Sequence, residues 1–410
     1  MNRTIMHGLA LLGLVLGAAA AFGFTSPPQA AGGLDVSDVN VVYNFGRQIA
    51  FQAVLHSSVP IRQASISFRE SRAQITRIEP LTLQADGSTL FEYNLAQNVL
   101  PPFATIIFSY QATLVDGRNV TSAPLSFRYE DNRFVWKTLS EGQSIRVHWV
   151  QGGDDFGQAA LDAARSGLEA INQIVPVTLD APVDVYVYAS IGDLQGALAL
   201  GGQPWLAGHA DPALGVAMVS VAPGETQSIE LQRQIPHELA HVMLYRYSEA
   251  GYGHLPAWLN EGVASMSELY PNPDYASALT LAGQNGSLLP MADLCASFPA
   301  ESGRAFLAYA ESESFVRYLR DTHGNSGLAA LIHSYADGLD CDLGPTRALG
   351  TSLQQLEARW REATLGENPV GVAARNLLPY FIMLALVLLV PLWGVLGFVL
   401  EKRSGHAAEK

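Results

Sequence analysis

Two histidines four residues apart, with a glutamate directly after the first, are the strongest chemical signal in this chain. His237-Glu238-Leu239-Ala240-His241 fits the pattern H-E-x-x-H. On a helix, positions i and i+4 project from one face, so His237 and His241 can offer imidazole nitrogens to one divalent ion. Glu238 then stands beside the ion, placed to take a proton from a water on it and pass that proton to a leaving group.

The pentad needs a helix to hold it and a third ligand to complete it. Pro236 suits a first helical turn and disturbs an interior one, so the helix begins at or before Pro236 or kinks there. Leu239 and Val242 then face the core. After Tyr247 comes a glycine-rich turn, Gly251-Tyr252-Gly253, and a new helix opens at Pro256. In Pro256-Ala-Trp-Leu-Asn-Glu-Gly-Val-Ala264, Glu261 lies twenty positions after His241, enough for a helix end, a loop and one turn. A hydrolytic zinc site usually takes three protein ligands and leaves one position for water. His254 is a rival ligand; a loop histidine near the cleft is the simpler reading. A third histidine in the metzincin manner is excluded, because Leu244 and Tyr247 occupy the positions that need glycine and histidine.

At this point the chain resembles the gluzincin metallopeptidases, the MA-like peptidase group related to the M1 aminopeptidases and thermolysin. The resemblance rests on His-Glu-Leu-Ala-His followed by Trp258-Leu-Asn-Glu-Gly-Val-Ala264. It extends to Tyr309–Leu319, similar to the tyrosine-bearing helix of that group, and to Leu349–Trp360, similar to its closing helix. It implies Zn²⁺ on His237, His241 and Glu261, Glu238 as general base, and Tyr309 as the donor to the oxyanion, with Tyr318 and Tyr245 as nearby rivals. Two departures matter. The M1 aminopeptidases hold the substrate amine with an acid in a Gly-x-Met-Glu-Asn stretch, and Gly215–Ser220 has none, which favours an endopeptidase. The carboxylate expected one turn beyond Glu261 to orient a ligand histidine is replaced by Ser265, so that partner must come from elsewhere or be missing.

The remaining chain supplies context. Hydrophobic residues make up 49% of the 410 positions and charged ones 15%, which excludes a disordered chain. The net charge of −14 and the lack of a basic run argue against nucleic acid as a partner. Cys295 and Cys341 are too few for a cysteine zinc site and leave open one bridge or two free thiols. Arg3 followed by the apolar run Leu9–Ala21 and small residues up to Gly33 reads as a secretory signal peptide over residues 1–31. Leu377–Leu400 is uncharged and long enough to span a bilayer. Lys402, Arg403 and Lys410 outnumber Arg375, which leaves residues 401–410 in the cytoplasm and the rest outside.

Between these ends, residues 34–131 read as an all-β immunoglobulin- or fibronectin-like sandwich, with strands at Ser65–Phe68, Thr89–Tyr93, Ala104–Tyr110 and Ala123–Tyr129 and turns at Asp86-Gly87, Pro101-Pro102 and Asp116-Gly117. Residues 135–366 read as an α+β zincin-like peptidase domain. It has strands at Ile145–Val150, Val183–Tyr188 and Leu214–Val221 and helices at Gly157–Ile174 and Asp193–Leu200. Leu214–Val221 is either the strand rimming the cleft, where an extended peptide can pair, or a plain core strand. The expected function is a membrane-anchored extracellular zinc peptidase acting on peptide or protein substrates, with the oligomeric state left open. The alternative is a catalytically silent zincin module for binding or surface structure, against which the intact Glu238 and ligand set argue.

Overall fold

The computed structural model describes residues 33–96, 98–198, 208–366, 377–391 and 393. The expected signal peptide and cytoplasmic tail lie outside the described residues. So does part of the expected membrane span: residues 377–391 are helical with exposed side chains, and the remainder apart from 393 is not described. No helix among the described residues is long and apolar enough to cross a membrane.

The chain divides into two compact units. The first holds residues 33–138 with two short segments, 148–151 and 187–198. It begins with β1 (Asp35–Asn44), β2 (Gln48–His56), β3 (Ile61–Glu70), β4 (Arg77–Leu81), β5 (Ser88–Asn94), β6 (Thr105–Leu114), β7 (Asn119–Thr121) and β8 (Leu125–Arg128). These make two antiparallel sheets, β1-β2-β5 and β4-β3-β6-β7, with β8 also paired to β6. The period-two pattern explains them. Every second residue of β6, from Ile106 through Phe108, Tyr110 and Ala112 to Leu114, is buried. The buried faces meet each other: the Phe51 ring of β2 lies 5.5 Å from Phe68, 5.2 Å from Phe108 and 6.1 Å from Phe127. The N-terminal region is therefore β-rich, in line with the sequence.

Strands β9 (Lys137–Glu141), β10 (Ile145–Trp149), β11 (Val183–Tyr188), β12 (Gly208–Asp211) and β13 (Val216–Ser220) form a sheet in the order β12-β13-β11-β10-β9. All six residues of β11 are buried, as suits a strand with neighbours on both sides. β13 is likewise interior and β12 is the edge. The strand expected at Leu214–Val221 is thus the core strand of the two alternatives. The edge falls on a four-residue strand too short to show alternation.

The helices are α1 (Asp154–Asn172), α2 (Ile191–Leu198), α3 (Gln227–Ser248), α4 (Ala257–Met266), α5 (Asp274–Asn285), α6 (Ser302–Ala336, bent at Gly324), α7 (Leu343–Leu349) and α8 (Leu353–Leu365). α1 turns Phe156, Ala160, Leu161, Ala164, Leu168 and Ile171 inward, an apolar stripe of helical period. It packs on α3 at Gly167, where a Cβ would stand 2.8 Å from Pro236 Cβ, so only glycine permits the approach. α4 is fixed to α6 and α8 through aromatic packing: Trp258 lies 5.1 Å from Phe315, which lies 5.6 Å from Trp360. Cys295 and Cys341, open between bridge and thiols in the sequence, form a disulfide with Cα atoms 6.2 Å apart.

One buried acid serves the fold alone. Glu311 of α6 is fully buried, and its carboxylate accepts the Leu289 N–H at 2.9 Å. Burial pushes its pKa up to about 8, against the pull of that hydrogen bond and of Arg361. An unfolded glutamate titrates near 4.5, so between about 4.5 and about 8 the folded state holds the extra proton and stability falls as pH rises. The denaturant midpoint of wild type is expected to drop between pH 5.5 and pH 8, and Glu311→Gln should shrink that drop. An unchanged pH slope in the variant would refute this account.

Candidate metal centre

α3 is a single helix that runs through Pro236, so the proline is interior and not at its start. Proline has no N–H, which leaves the Gln232 carbonyl without its intrahelical partner. The structure fills that vacancy from outside: the Leu269 N–H donates to Gln232 O at 2.9 Å. This backbone bond ties the segment after α4 to the turn of α3 just before His237.

His237 and His241 face α4, and Glu261 faces them. One nitrogen of each histidine and one Glu261 oxygen all lie within 4.8 Å of one another. His237 Nε2 is 3.5 Å and His241 Nε2 is 3.7 Å from Glu261 Oε2. Ligand atoms about 2.0–2.1 Å from a tetrahedral zinc stand roughly 3.4 Å apart, so the donor set fits one such ion. The two outward nitrogens are also engaged. His237 Nδ1 is 3.1 Å from Glu268 Oε1, and His241 Nδ1 is 3.1 Å from Asn260 Oδ1. With acceptors there, the neutral form of each ring carries its proton on Nδ1 and leaves the Nε2 lone pair for the shared position. Asn260 is itself oriented, its Nδ2 donating to the Tyr252 hydroxyl at 3.1 Å.

By themselves these side chains have strongly shifted titrations. Burial pulls His237 down, but its hydrogen bonds to Glu261 and Glu268 outweigh it and hold the imidazolium well above the usual range. Burial brings His241 below its ordinary value. Glu261 is lowered overall, because His241 and His237 overcome the desolvation. Burial raises Glu238 to about 8, with the charges of Glu261 and Glu268 adding to it. Four acidic and basic groups thus crowd into one cluster, an arrangement that a bound cation would neutralise.

Glu238 lies against the edge strand: a Cβ on Gly208 would stand 2.2 Å from Glu238 Oε1. The strand beside the cluster is therefore β12, where the sequence reading offered Leu214–Val221. β12 carries an acid, Asp211, which accepts the Leu214 N–H at 3.0 Å and closes the turn into β13. Tyr309 flanks the other side, its ring 6.3 Å from His237 and 4.9 Å from Phe298. Burial, and then Glu261 and Glu238, raise its pKa, so its hydroxyl stays a donor. Tyr252 is a second such phenol, pushed up to about 12 by burial with Glu261 and Glu238 contributing. Tyr245 packs on Tyr252 at 5.6 Å, and the Tyr318 side chain is half-buried on α6. His254 points elsewhere, its Nδ1 3.3 Å from Ala336 O.

Glu268, Asn260, Gly208 and Tyr252 were not singled out from the sequence. Asn260 adjoins Glu261 in the second motif and was in plain view. Glu268 was signalled only indirectly, by Pro236, whose missing N–H leaves the Gln232 carbonyl in need of a donor.

Residues 163–366 match the family model described as the Peptidase MA superfamily. This segment belongs to the Peptidase MA superfamily. Every residue of the cluster lies within the Peptidase MA segment. Among solved structures, the chain is similar to an M1 zinc metallopeptidase from Deinococcus radiodurans, with 13% identity over 81% of this chain and 94% of that one and a TM-score of 0.38. It is also similar to an aminopeptidase N family protein from Idiomarina loihiensis, with 7% identity over 81% and 73% and a TM-score of 0.33. No curated protein matches.

Proposed function

We propose that the chain is a zinc-dependent peptidase in which His237, His241 and Glu261 hold the metal. The convergence of both Nε2 atoms on one Glu261 oxygen, with each Nδ1 backed by an acceptor, carries the reading. A zinc ion held there would supply Lewis acidity and make a water acidic enough to attack at neutral pH. Glu238 accepts a proton from the attacking water and returns it to the departing amine nitrogen. Tyr309, with Tyr252 near the same carboxylates, offers a hydroxyl where negative charge develops on the carbonyl oxygen. The edge of β12 accepts an extended substrate backbone.

Cleavage within a chain is the favoured outcome. Gly215–Ser220, which has no acid, covers the interior strand β13. The acid that the edge strand does carry, Asp211, is committed to its own turn. The surroundings of the site are proposed as extracellular, with one membrane anchor near the C-terminus. Supporting this are the apolar runs Leu9–Ala21 and Leu377–Leu400, the charge asymmetry around the second, and a disulfide of the kind that persists in oxidising compartments.

The test uses the full chain in detergent. Metal analysis should give one zinc per chain, and mass spectrometry of an unlabelled protein digest should show new internal termini. Zinc without cleavage would sink the catalytic part and favour a silent module; no zinc at all would sink the site. Release of single residues from free N-termini alone, with N-acetylated peptides untouched, would overturn only the endopeptidase assignment.

The partner of His237 gives a further expectation. Metal-ligand partners of this kind typically contribute 10–100-fold in metal affinity. Glu268→Gln keeps an acceptor but loses the charge, so zinc affinity measured against a competing chelator should fall by about 10–100-fold. An affinity equal to wild type would show that Glu268 is structural only.

A further inference from the structure

We infer that the Cys295–Cys341 disulfide is a positioning device for the third ligand. This rests on the peptidase reading of the site but concerns residues outside it. The ligands sit on two helices, α3 and α4, and the stretch between them sets how far Glu261 stands from the histidines. That stretch is a 3-10 turn, Glu249–His254, followed by Leu255 and Pro256.

Both ends of the stretch are held by segments that the disulfide joins. At the α4 end, the N–H of Ala257, the first residue of the helix, donates to the Cys295 carbonyl at 2.9 Å. At the other end, the 3-10 turn is seated on the end of α6. A Cβ on Gly251 would stand 2.3 Å from Ala336 O, and His254 Nδ1 reaches the same oxygen. Cys341 follows five residues later, and its carbonyl accepts the hydroxyl of Tyr335, the neighbour of Ala336, at 3.0 Å. The bridge thus closes a ring of contacts: turn, α6 end, Cys341, Cys295, α4 start. Three residues beyond Cys295, Phe298 packs edge-on against Tyr309, so the same tie steadies the wall that carries the tyrosine.

The upstream side of Cys295 has its own anchors. Met291 N–H donates to Glu357 Oε2 at 3.2 Å, and Arg361 donates to Leu289 O at 3.1 Å. Without the bridge, residues 289–294 keep these bonds while 295–300, all exposed or half-buried, lose their covalent hold. The bridge therefore acts on the metal site more than on the core.

The experiment compares the full-length protein with two variants, Cys295→Ser/Cys341→Ser and Ala257→Pro. The second keeps the bridge but removes the donor to Cys295 O, at a first helical position that proline tolerates. Zinc dissociation, kcat and KM on one peptide, and far-UV circular dichroism are measured on each. The expected result is a folded double variant that loses zinc at least ten times faster, with kcat down and KM little changed, and Ala257→Pro shifted the same way. Zinc dissociation and kcat at wild-type values in both variants would overturn the inference. If the double variant does not fold, Ala257→Pro decides alone. Failure of the peptidase reading is separate and visible in the wild type, which would then neither retain zinc nor cleave.

Discussion

Glu238→Gln is expected to lower kcat by roughly 10²–10⁴ while zinc content stays at one per chain. The substitution keeps the shape of the side chain and removes its capacity to hold a proton. The carboxylate is buried, and desolvation raises its proton affinity to about 8. A cation held by the neighbouring donors would favour its ionised form, which suits a group that must take up a proton and then give it away. Because Glu238 is not among the three converging donors, its loss should leave metal binding intact. Single-turnover cleavage with parallel metal analysis checks this. Cleavage that survives in the glutamine variant, or zinc that departs with it, would refute the assigned role.

The second large effect is expected at Gly208. A methyl group there would stand 2.2 Å from Glu238 Oε1, far inside contact distance, so either the carboxylate or β12 must shift by about 1 Å. Displacement on that scale costs about 10²-fold in rate. Gly208→Ala should therefore depress kcat about 100-fold with zinc retained, because the ligands on α3 and α4 are not touched. Gly224→Ala is the control, since nothing lies within 4 Å of a Cβ at that position. Equal activity in the two alanine variants would show that the close approach has no catalytic consequence.

These expectations divide along a line that shows what a sequence can carry. His237 and His241 were readable because helical spacing turns a linear pattern into a shared face. Glu261 was readable because the second motif follows after room for a helix end, a loop and one turn. The structure brings these three donor groups together. The apolar alternation of β3, β5, β6 and β8 and the stripe of α1 were readable for the same reason. Gly208 and Glu268 were not, because each matters through a neighbour far along the chain. β12 has four residues, and its importance lies in being the sheet edge, which is a fact about strand order. Glu268 meets His237 side chain to side chain across thirty-one positions, in a segment held by the Leu269–Gln232 backbone bond that no side-chain pattern encodes. The Cys295–Cys341 pairing was undecidable for a like reason, since cysteine count gives no distance. Pro236 left a helix start and a kink both open, because propensity disfavours proline inside helices; the structure makes it interior to α3, where tertiary contact overrides propensity.

That proline has a consequence for how the chain tolerates change. Gln232 and Leu269 are joined by main-chain atoms only, so nearly any side chain can replace either without loosening the bond. The alignment of Glu268 with His237 is thereby insulated from mutation at both contact positions. Drift can accumulate at Gln232 and Leu269 while the metal site stays in register, and the vulnerability is concentrated in one residue that touches no metal. Restoring an N–H at position 236 would give the Gln232 carbonyl a competing partner within its own helix.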